Sequence, residues 1–401
     1  MMIPRMLRCS VLLFLILAVT SCVHTPPLYV NLSQHNPIID DYKALTNAGL
    51  AQRCCPEFPL KDGWLGGDGD VSVPLDATTT LFLFSDSYVG QQNQTKRNVP
   101  GTKIIANTVA IQSCKWEDES EINYFWNRMY TSNPRPVFEP KKHGNKFWVN
   151  DAFLLEGKLY VLLEEIGEKE NAAPDDVFNF TQVGYTMAKI DNPYDTPLTW
   201  NIDYLPLPGF QHPQTGISCL TRHKEYVYFF INNNDRVQQL VRKAVTDFED
   251  MDHGFEYFAR DRSWQSGIET ADMDTLFTGF RCTTVKYHSA VKKWVMIKDI
   301  QFKTNEIKMR CSPELTGPWS EERVVYTIPE TTPGNEHYHE NNFCYLPREC
   351  TQNYNSKSCE MVMTYDVNNF DLSYVINHEL IYTPRVITIY LPVEESGGPE
   401  E

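Results

Sequence analysis

Residues 62–89 read DGWLGGDGDVSVPLDATTTLFLFSDSYV. A glycine-rich corner leads into a short alternating segment, GDVSVPL at 69–75. A Thr-rich turn reverses the chain, which returns as the strongly apolar TLFLFSD at 80–86. Period-two alternation, β-branched and aromatic residues, and turn residues at either end specify a β-hairpin. Working outward, the same unit recurs. Further first strands are AFLLEG (152–157), GISCLT (216–221), RCTTVKY (281–287) and NFCYLP (342–347). Their returning partners are KLYVLLEE (158–165), YVYFFIN (226–232), KWVMIKD (293–299) and MVMTYD (361–366). A third strand follows each hairpin, from NTVAIQ (107–112) in the first unit to VITIYL (386–391) in the last. Five strand-turn-strand units with no helical periodicity between them predict an all-β chain, a five-bladed β-propeller in a single domain after a signal peptide. The competing architecture, a β-sandwich, seldom extends over so long a stretch or repeats one hairpin so many times.

The flanks read differently. Arg5 and Arg8 precede the apolar run VLLFLILAV (11–19), and small residues then lead to Cys22. That order is a secretory signal, and the run is too short to span a bilayer. Cys22 after small residues is also the pattern of a bacterial lipoprotein cleavage box, in which Cys22 becomes the acylated first residue; ordinary cleavage near it is the alternative. The expected layout is a signal peptide at 1–22, a Pro-rich lead-in at 23–60, the propeller at 61–393 and a disordered tail at 394–401. The chain is therefore expected to be exported, either secreted or lipid-anchored at the cell envelope. Export permits disulfides, and Cys350 with Cys359 is the expected local pair.

Composition narrows the partners. The 401 residues carry a formal net charge of −16, which repels phosphate backbones and excludes nucleic acid as a partner. Any membrane association would run through the N-terminal anchor, and the chain is expected to be a monomer. No zinc-type cysteine spacing, serine-hydrolase elbow or phosphate loop is present. No metal site or cofactor is expected, although calcium could sit among carboxylates gathered on an axis.

In a ring of radial hairpins, the start of each first strand and the end of each second strand meet at one rim. Asp68 and Asp86 hold those positions in the first unit, 18 residues apart. Asp151 opens the second unit in the place of Asp68. Asn107, Arg281, Glu340 and Asp366 are expected around the same rim, as are Glu164, Glu165 and Asp299 at later strand ends. Trp64, Tyr88, Trp148 and Tyr382 offer aromatic faces on which sugars could stack. Asp70 reads as a turn residue pointing outward. Two facing carboxylates are what glycoside hydrolysis needs, one to protonate the leaving oxygen and one to attack or to activate water. Asp68, Asp86 and Asp151 are thus the candidate catalytic residues, with Trp64, Tyr88, Asn107, Trp148, Arg281, Glu340 and Asp366 as candidate substrate contacts. A propeller that binds a glycan or an envelope protein without turnover is the alternative.

The opening GWLGGDGDVSVPL…LFLFSDSYVG, with FWVNDAFLLEGKLYVLLEE, KAVTDFEDMDHGFEYF, GPWSEERVVYT and MTYDVNN…YTPRVITIYLP later, resembles a bacterial domain-of-unknown-function family of five-bladed β-propellers related to arabinanases and fructosidases. Some of its members are assigned as endo-acting hydrolases of D-arabinofuranose polymers. The resemblance implies an O-glycosyl hydrolase acting on an arabinan-like or other furanose polysaccharide, with Asp68 and Asp86 as the catalytic acids and Asp151 supporting. It departs from the family at Ser85-Asp86-Ser87, where Gly-Asp-Thr is usual.

Overall fold

The computed structural model describes residues 55–391 apart from 115–119, 170–178, 211–214, 234–235, 290, 301–303 and 351–359. The signal-like segment, Cys22, most of the lead-in and the tail lie outside the described residues. The described chain is almost entirely β. In chain order the strands are β1 Trp64–Gly67, β2 Val71–Pro74, β3 Thr79–Phe84, β4 Ser87–Val89, β5 Lys103–Ile105, β6 Thr108–Cys114 and β7 Ser120–Phe125. Next come β8 Lys146–Leu155, β9 Lys158–Glu168, β10 Phe180–Ile190, β11 Ile202–Pro206, β12 Gly216–His223, β13 Tyr226–Asn232 and β14 Val237–Ala244. The chain continues with β15 Phe255–Phe258, β16 Trp264–Ser266, β17 Phe277–Thr278, β18 Cys282–His288, β19 Lys293–Lys298, β20 Glu306–Ser312 and β21 Arg323–Thr327. It ends with β22 Asn342–Glu349, β23 Glu360–Asn369, the short helix α1 Leu372–Asn377 and β24 Arg385–Tyr390.

These strands form six antiparallel sheets: β2-β3-β6-β7, β8 to β11, β12 to β16 with β17 added, β18 to β21, β22 to β24, and a small extra sheet β1-β4-β5. Each of the five predicted hairpins is present between its expected strands. The turns explain why. Asp76 accepts from the backbone N–H of Thr78 and Thr79, closing β2 on β3. Glu156 and Gly157 both take positive φ, the two-residue turn that matches strand twist, between β8 and β9.

First strands touch in sequence, β2 on β8, β8 on β12, β12 on β18 and β18 on β22. The last sheet meets the first through the backbone N–H of Gly69, which donates to Asp366 Oδ2 at 2.8 Å. Apolar layers fill the spaces between consecutive sheets. Leu83, Val109, Val149 and Leu163 lie between the first and second, and Leu162, Met187, Phe229 and Val241 between the second and third. Phe230, Leu240, Val285 and Met296 join the third to the fourth, and Ile297, Ile307, Met363 and Ile389 join the fourth to the fifth. Burying each such side chain contributes about 1.5–3 kcal/mol, so the sheets are held by their shared layers more than by hydrogen bonds across them.

Four first strands carry a break in register: between Val149 and Asp151, Ile217 and Cys219, Cys282 and Thr284, and Tyr345 and Arg348. Such bulges re-aim side chains. In the first sheet the break is larger, and the chain divides there into β1 and β2 around Asp68, Gly69 and Asp70. Of the expected Cys350–Cys359 pair, Cys350 is a free thiol buried where β22 ends, and Cys359 lies outside the described residues.

Candidate functional site

The glycine-rich corner sets the site. Gly69 has φ +83, a conformation that favours glycine, and a Cβ there would sit 3.0 Å from Ser85 Oγ. Its neighbours are thereby sent to different environments: Asp68 lines the main cavity, whereas Asp70 is 1% exposed in the interior. Asp68 and Asp86 are joined through the backbone, Asp68 N–H donating to Asp86 O at 3.3 Å and Ser85 N–H to Asp68 O at 2.6 Å. Hairpin closure therefore makes neighbours of the two acids, as the sequence spacing predicts.

Both carboxylates open on a cavity of about 750 Å³. Tyr345 Oη donates to Asp68 Oδ2 at 2.7 Å. Asp86 is held by Lys146 Nζ, 3.0 Å from Oδ2, and by Trp148 Nε1, 2.9 Å from Oδ1. Burial first, and the adjoining Asp86 second, push the Asp68 carboxyl up to about 7; the hydroxyls of Tyr345 and Tyr382 and the charge of Lys146 pull it back. Aromatic surface surrounds the pair. Trp148 packs edge-on against Phe180, while Phe343, Tyr345, Phe370 and Tyr382 line the opposite wall. The arrangement offers a carboxyl that keeps its proton near neutrality, a second carboxylate set against an ammonium, and flat apolar faces for a ring.

Of the candidate substrate contacts, Tyr88, Trp148 and Arg281 line this cavity, and so does Tyr382. Four other expected site residues are placed elsewhere, as is Asp151. Trp64 is fully buried, stacked on Tyr124 at 4.2 Å and donating from Nε1 to Thr108, because β1 forms its own small sheet beneath the corner. Asn107 is a buried clamp: its Nδ2 donates to the carbonyls of Phe138 and Phe147, and its Oδ1 accepts from Phe138 N–H. Glu340 sits exposed in a turn outside the cavity lining. Asp366 is completely buried in the middle of β23, since that strand runs on to Asn369.

Asp151 is likewise a correction. Strand β8 begins at Lys146, so Asp151 is mid-strand, and the bulge turns its carboxylate inward to accept from the N–H groups of Ala152 and Leu220 at 2.8 and 2.7 Å. It ties the second sheet to the third. Asp70, expected to point outward, is a second correction. Its carboxylate lies against Thr364 and Arg348, and burial raises it to about 6 against the pull of both. Burial, with Asp70 and Asp68 added, also holds Asp366 well above the usual carboxylate range.

Beyond the candidate catalytic residues and substrate contacts, the site draws in Glu164, which was expected on the same rim, and Lys146, Tyr345 and Arg348, which the sequence did not single out. Glu164 lines the cavity from within β9, which runs on to Glu168; burial raises it, opposed by Arg281 and Arg348. The apolar KLYVLLEE run places it near a strand end as LFLFSD does Asp86, but β9 continues past Glu164 whereas Asp86 lies just beyond β3. Lys146, Tyr345 and Arg348 carry no comparable local signal, because each belongs to a different sheet from the first hairpin, far along the chain from it. Among the described residues, no group of three or more His, Cys, Asp or Glu is arranged to hold a metal ion. No described helix is long and apolar enough to cross a membrane.

Fold and site together describe an all-β protein with paired acids at the closure of its sheets. The chain belongs to the family described as Domain of unknown function (DUF5005), whose model matches residues 58–392. No curated protein matches the sequence. Among solved structures, the chain shares its fold with a "putative hydrolase" from Bacteroides ovatus ATCC 8483, at 16% identity and a TM-score of 0.63, covering 82% of this chain and 86% of that one. It resembles two others only distantly. One is the Bacteroides ovatus xyloglucan PUL GH43B protein, at 8% identity and TM-score 0.46, covering 82% of this chain and 53% of that one. The other is the catalytic domain of a Coprinopsis cinerea GH62 α-L-arabinofuranosidase, at 7% identity and TM-score 0.43, covering 83% and 98%.

Proposed function

We propose that this chain is an exported glycoside hydrolase on a five-bladed β-propeller, residues 61–393, that cuts a furanose-rich polysaccharide of the arabinan or arabinogalactan kind. In this reading Asp68 is the general acid and Asp86 the nucleophile or base. The β1-β4-β5 sheet is an accessory to the first blade, and the five sheets that begin with β2, β8, β12, β18 and β22 are the blades. The N-terminal segment up to Cys22 serves as the export signal, cleaved either to leave Cys22 as the acylated first residue of the mature chain or near it to release a secreted protein.

One observation carries the reading: two backbone-paired aspartates share an aromatic-lined cavity, and one of them is pushed up to about 7. A general acid works best when it titrates near the operating pH. Asp86, gripped by Lys146 and Trp148, is positioned against the face of a ring that stacks on the cavity aromatics. Arg281 and Glu164 lie where further hydroxyls would bind.

The test is hydrolysis of a panel of arabinans and arabinogalactans by wild type, Asp68→Asn, Asp86→Asn and Glu164→Gln. Loss of a catalytic acid is expected to lower kcat by about 10²–10⁴-fold. Unchanged turnover in Asp68→Asn rejects the assignment, and loss confined to Glu164→Gln transfers the acid to that residue. The anomer released, read by proton NMR, distinguishes retention from inversion. The grip of Lys146 on Asp86 favours a second reading, glycan binding without turnover. Calorimetric binding of the same polymers with no released reducing ends would support it.

A further inference from the structure

The first strands β12 and β18 lie side by side. Each breaks register with its hairpin partner at a corresponding place, next to Cys219 in β12 and next to Cys282 in β18. The two sulfurs are 3.2 Å apart, closer than the sum of two sulfur van der Waals radii. Both residues are fully buried among Phe230, Leu240, Val285 and Met296, with Gln238 Oε1 3.9 Å from the Cys282 sulfur. Ordinary packing would satisfy a small apolar side chain at either position; two thiols in contact between separate sheets are the arrangement a cross-link needs.

We propose that Cys219 and Cys282 form a disulfide as the chain folds, tying the third sheet to the fourth at the inner ring. The step is thiol–disulfide exchange. One thiolate attacks an oxidised disulfide carrier, such as a dithiol oxidoreductase or oxidised glutathione. The second thiolate displaces that carrier from the mixed disulfide. One S–S bond forms in the protein as one breaks in the carrier, and the carrier leaves as thiols with the two electrons and the two protons that the cysteines gave up.

The surroundings set the order of events. In the closed structure no carrier can reach the buried sulfurs, and burial, then Cys282, keeps the Cys219 thiol well above its ordinary range, so thiolate is scarce. Exchange therefore precedes closure of the two sheets. The bond then closes a loop between residues 63 positions apart and restricts the unfolded chain accordingly. It lies beside the Leu220 N–H that Asp151 accepts, so it also fixes the strand on which that inter-sheet contact depends.

The experiment uses the full chain. Protein that has been reduced and unfolded is refolded in a glutathione redox buffer, unfolded again in N-ethylmaleimide, and mapped by mass spectrometry without reduction. The expected result is a cross-linked peptide pair containing Cys219 and Cys282, two hydrogen masses lighter than the sum of the free peptides. Protein that is folded while reduced and only then placed in the same buffer is expected to keep both thiols and yield both as alkylated. Cys114, which is disulfide-bonded, serves as the internal control. Recovery of Cys219 and Cys282 as alkylated thiols after oxidative refolding, with Cys114 back in its bridge, overturns the proposal. So does either residue bridged to a different cysteine. Where refolding yields no folded protein, the same mapping of the chain purified directly from an oxidising compartment decides between these outcomes.

Discussion

Asp68→Asn should make the protein less active and, at alkaline pH, more stable. Burial and the neighbouring Asp86 raise the Asp68 carboxyl from 3.8 to about 7 in the folded chain. Below the lower value both folded and unfolded chains hold the proton, and the residue is without cost. Between the two values the unfolded chain gives its proton up while the folded chain retains it. The folded state then binds more protons, so stability falls as pH rises, and the loss is complete once the folded carboxyl ionises. A displacement of roughly three pH units at about 1.4 kcal/mol each amounts to about 4 kcal/mol. Because the carboxyl opens on the cavity, where water screens it, about 2 kcal/mol is the fairer expectation. Asparagine keeps an acceptor for the Tyr345 hydroxyl and removes the titration. Urea unfolding of wild type and Asp68→Asn at about pH 3.5 and about pH 8.5 measures the effect. The two proteins should have the same midpoint, within error, in acid, and the variant should gain about 2 kcal/mol in base. Parallel pH–stability curves would refute the reasoning, since they would mean that Asp68 titrates alike in both states.

Tyr345→Phe removes a hydroxyl that stabilises the ionised form of Asp68. The carboxyl should rise further, moving the alkaline limb of the pH–rate profile upward by about half a pH unit to one unit; a limb that stays in place contradicts the contact. Arg97→Ala should cost about 3–5 kcal/mol, read from thermal or urea unfolding. Its buried guanidinium donates to the carbonyls of Leu65, Val375, His378 and Glu379, clamping α1 to the small sheet; the His378 and Glu379 carbonyls keep Ile381 N–H and the Thr383 hydroxyl as donors, while those of Leu65 and Val375 lose the guanidinium. A loss below about 1 kcal/mol would show that the clamp is dispensable.

Much of the fold was legible because a hairpin is a local object. Alternation in VSVPL, the Asp76 turn and the apolar LFLF segment are resolved within about twenty residues, and each later unit repeats the pattern. The same locality made Asp68 and Asp86 readable as neighbours. Asp151 and Asp366 were misplaced because strand length and bulges decide which side chain reaches a rim, Trp64 because β1 forms a sheet of its own, and Asn107 because its amide clamps the segment ahead of β8. β8 starts six residues before the expected segment, and β23 runs three past it, turning expected strand tips into strand middles.

By itself, then, the order of residues determined the antiparallel hairpins, their number and the acidic pair at the first of them, since these follow from period and turn chemistry between near neighbours. Only the tertiary structure decided what surrounds that pair. Lys146, Trp148 and Glu164 come from the second sheet, Arg281 from the fourth and Tyr345 from the fifth. Their approach is set by the packing of apolar layers between sheets, an interaction without direction that leaves no periodic mark on the chain.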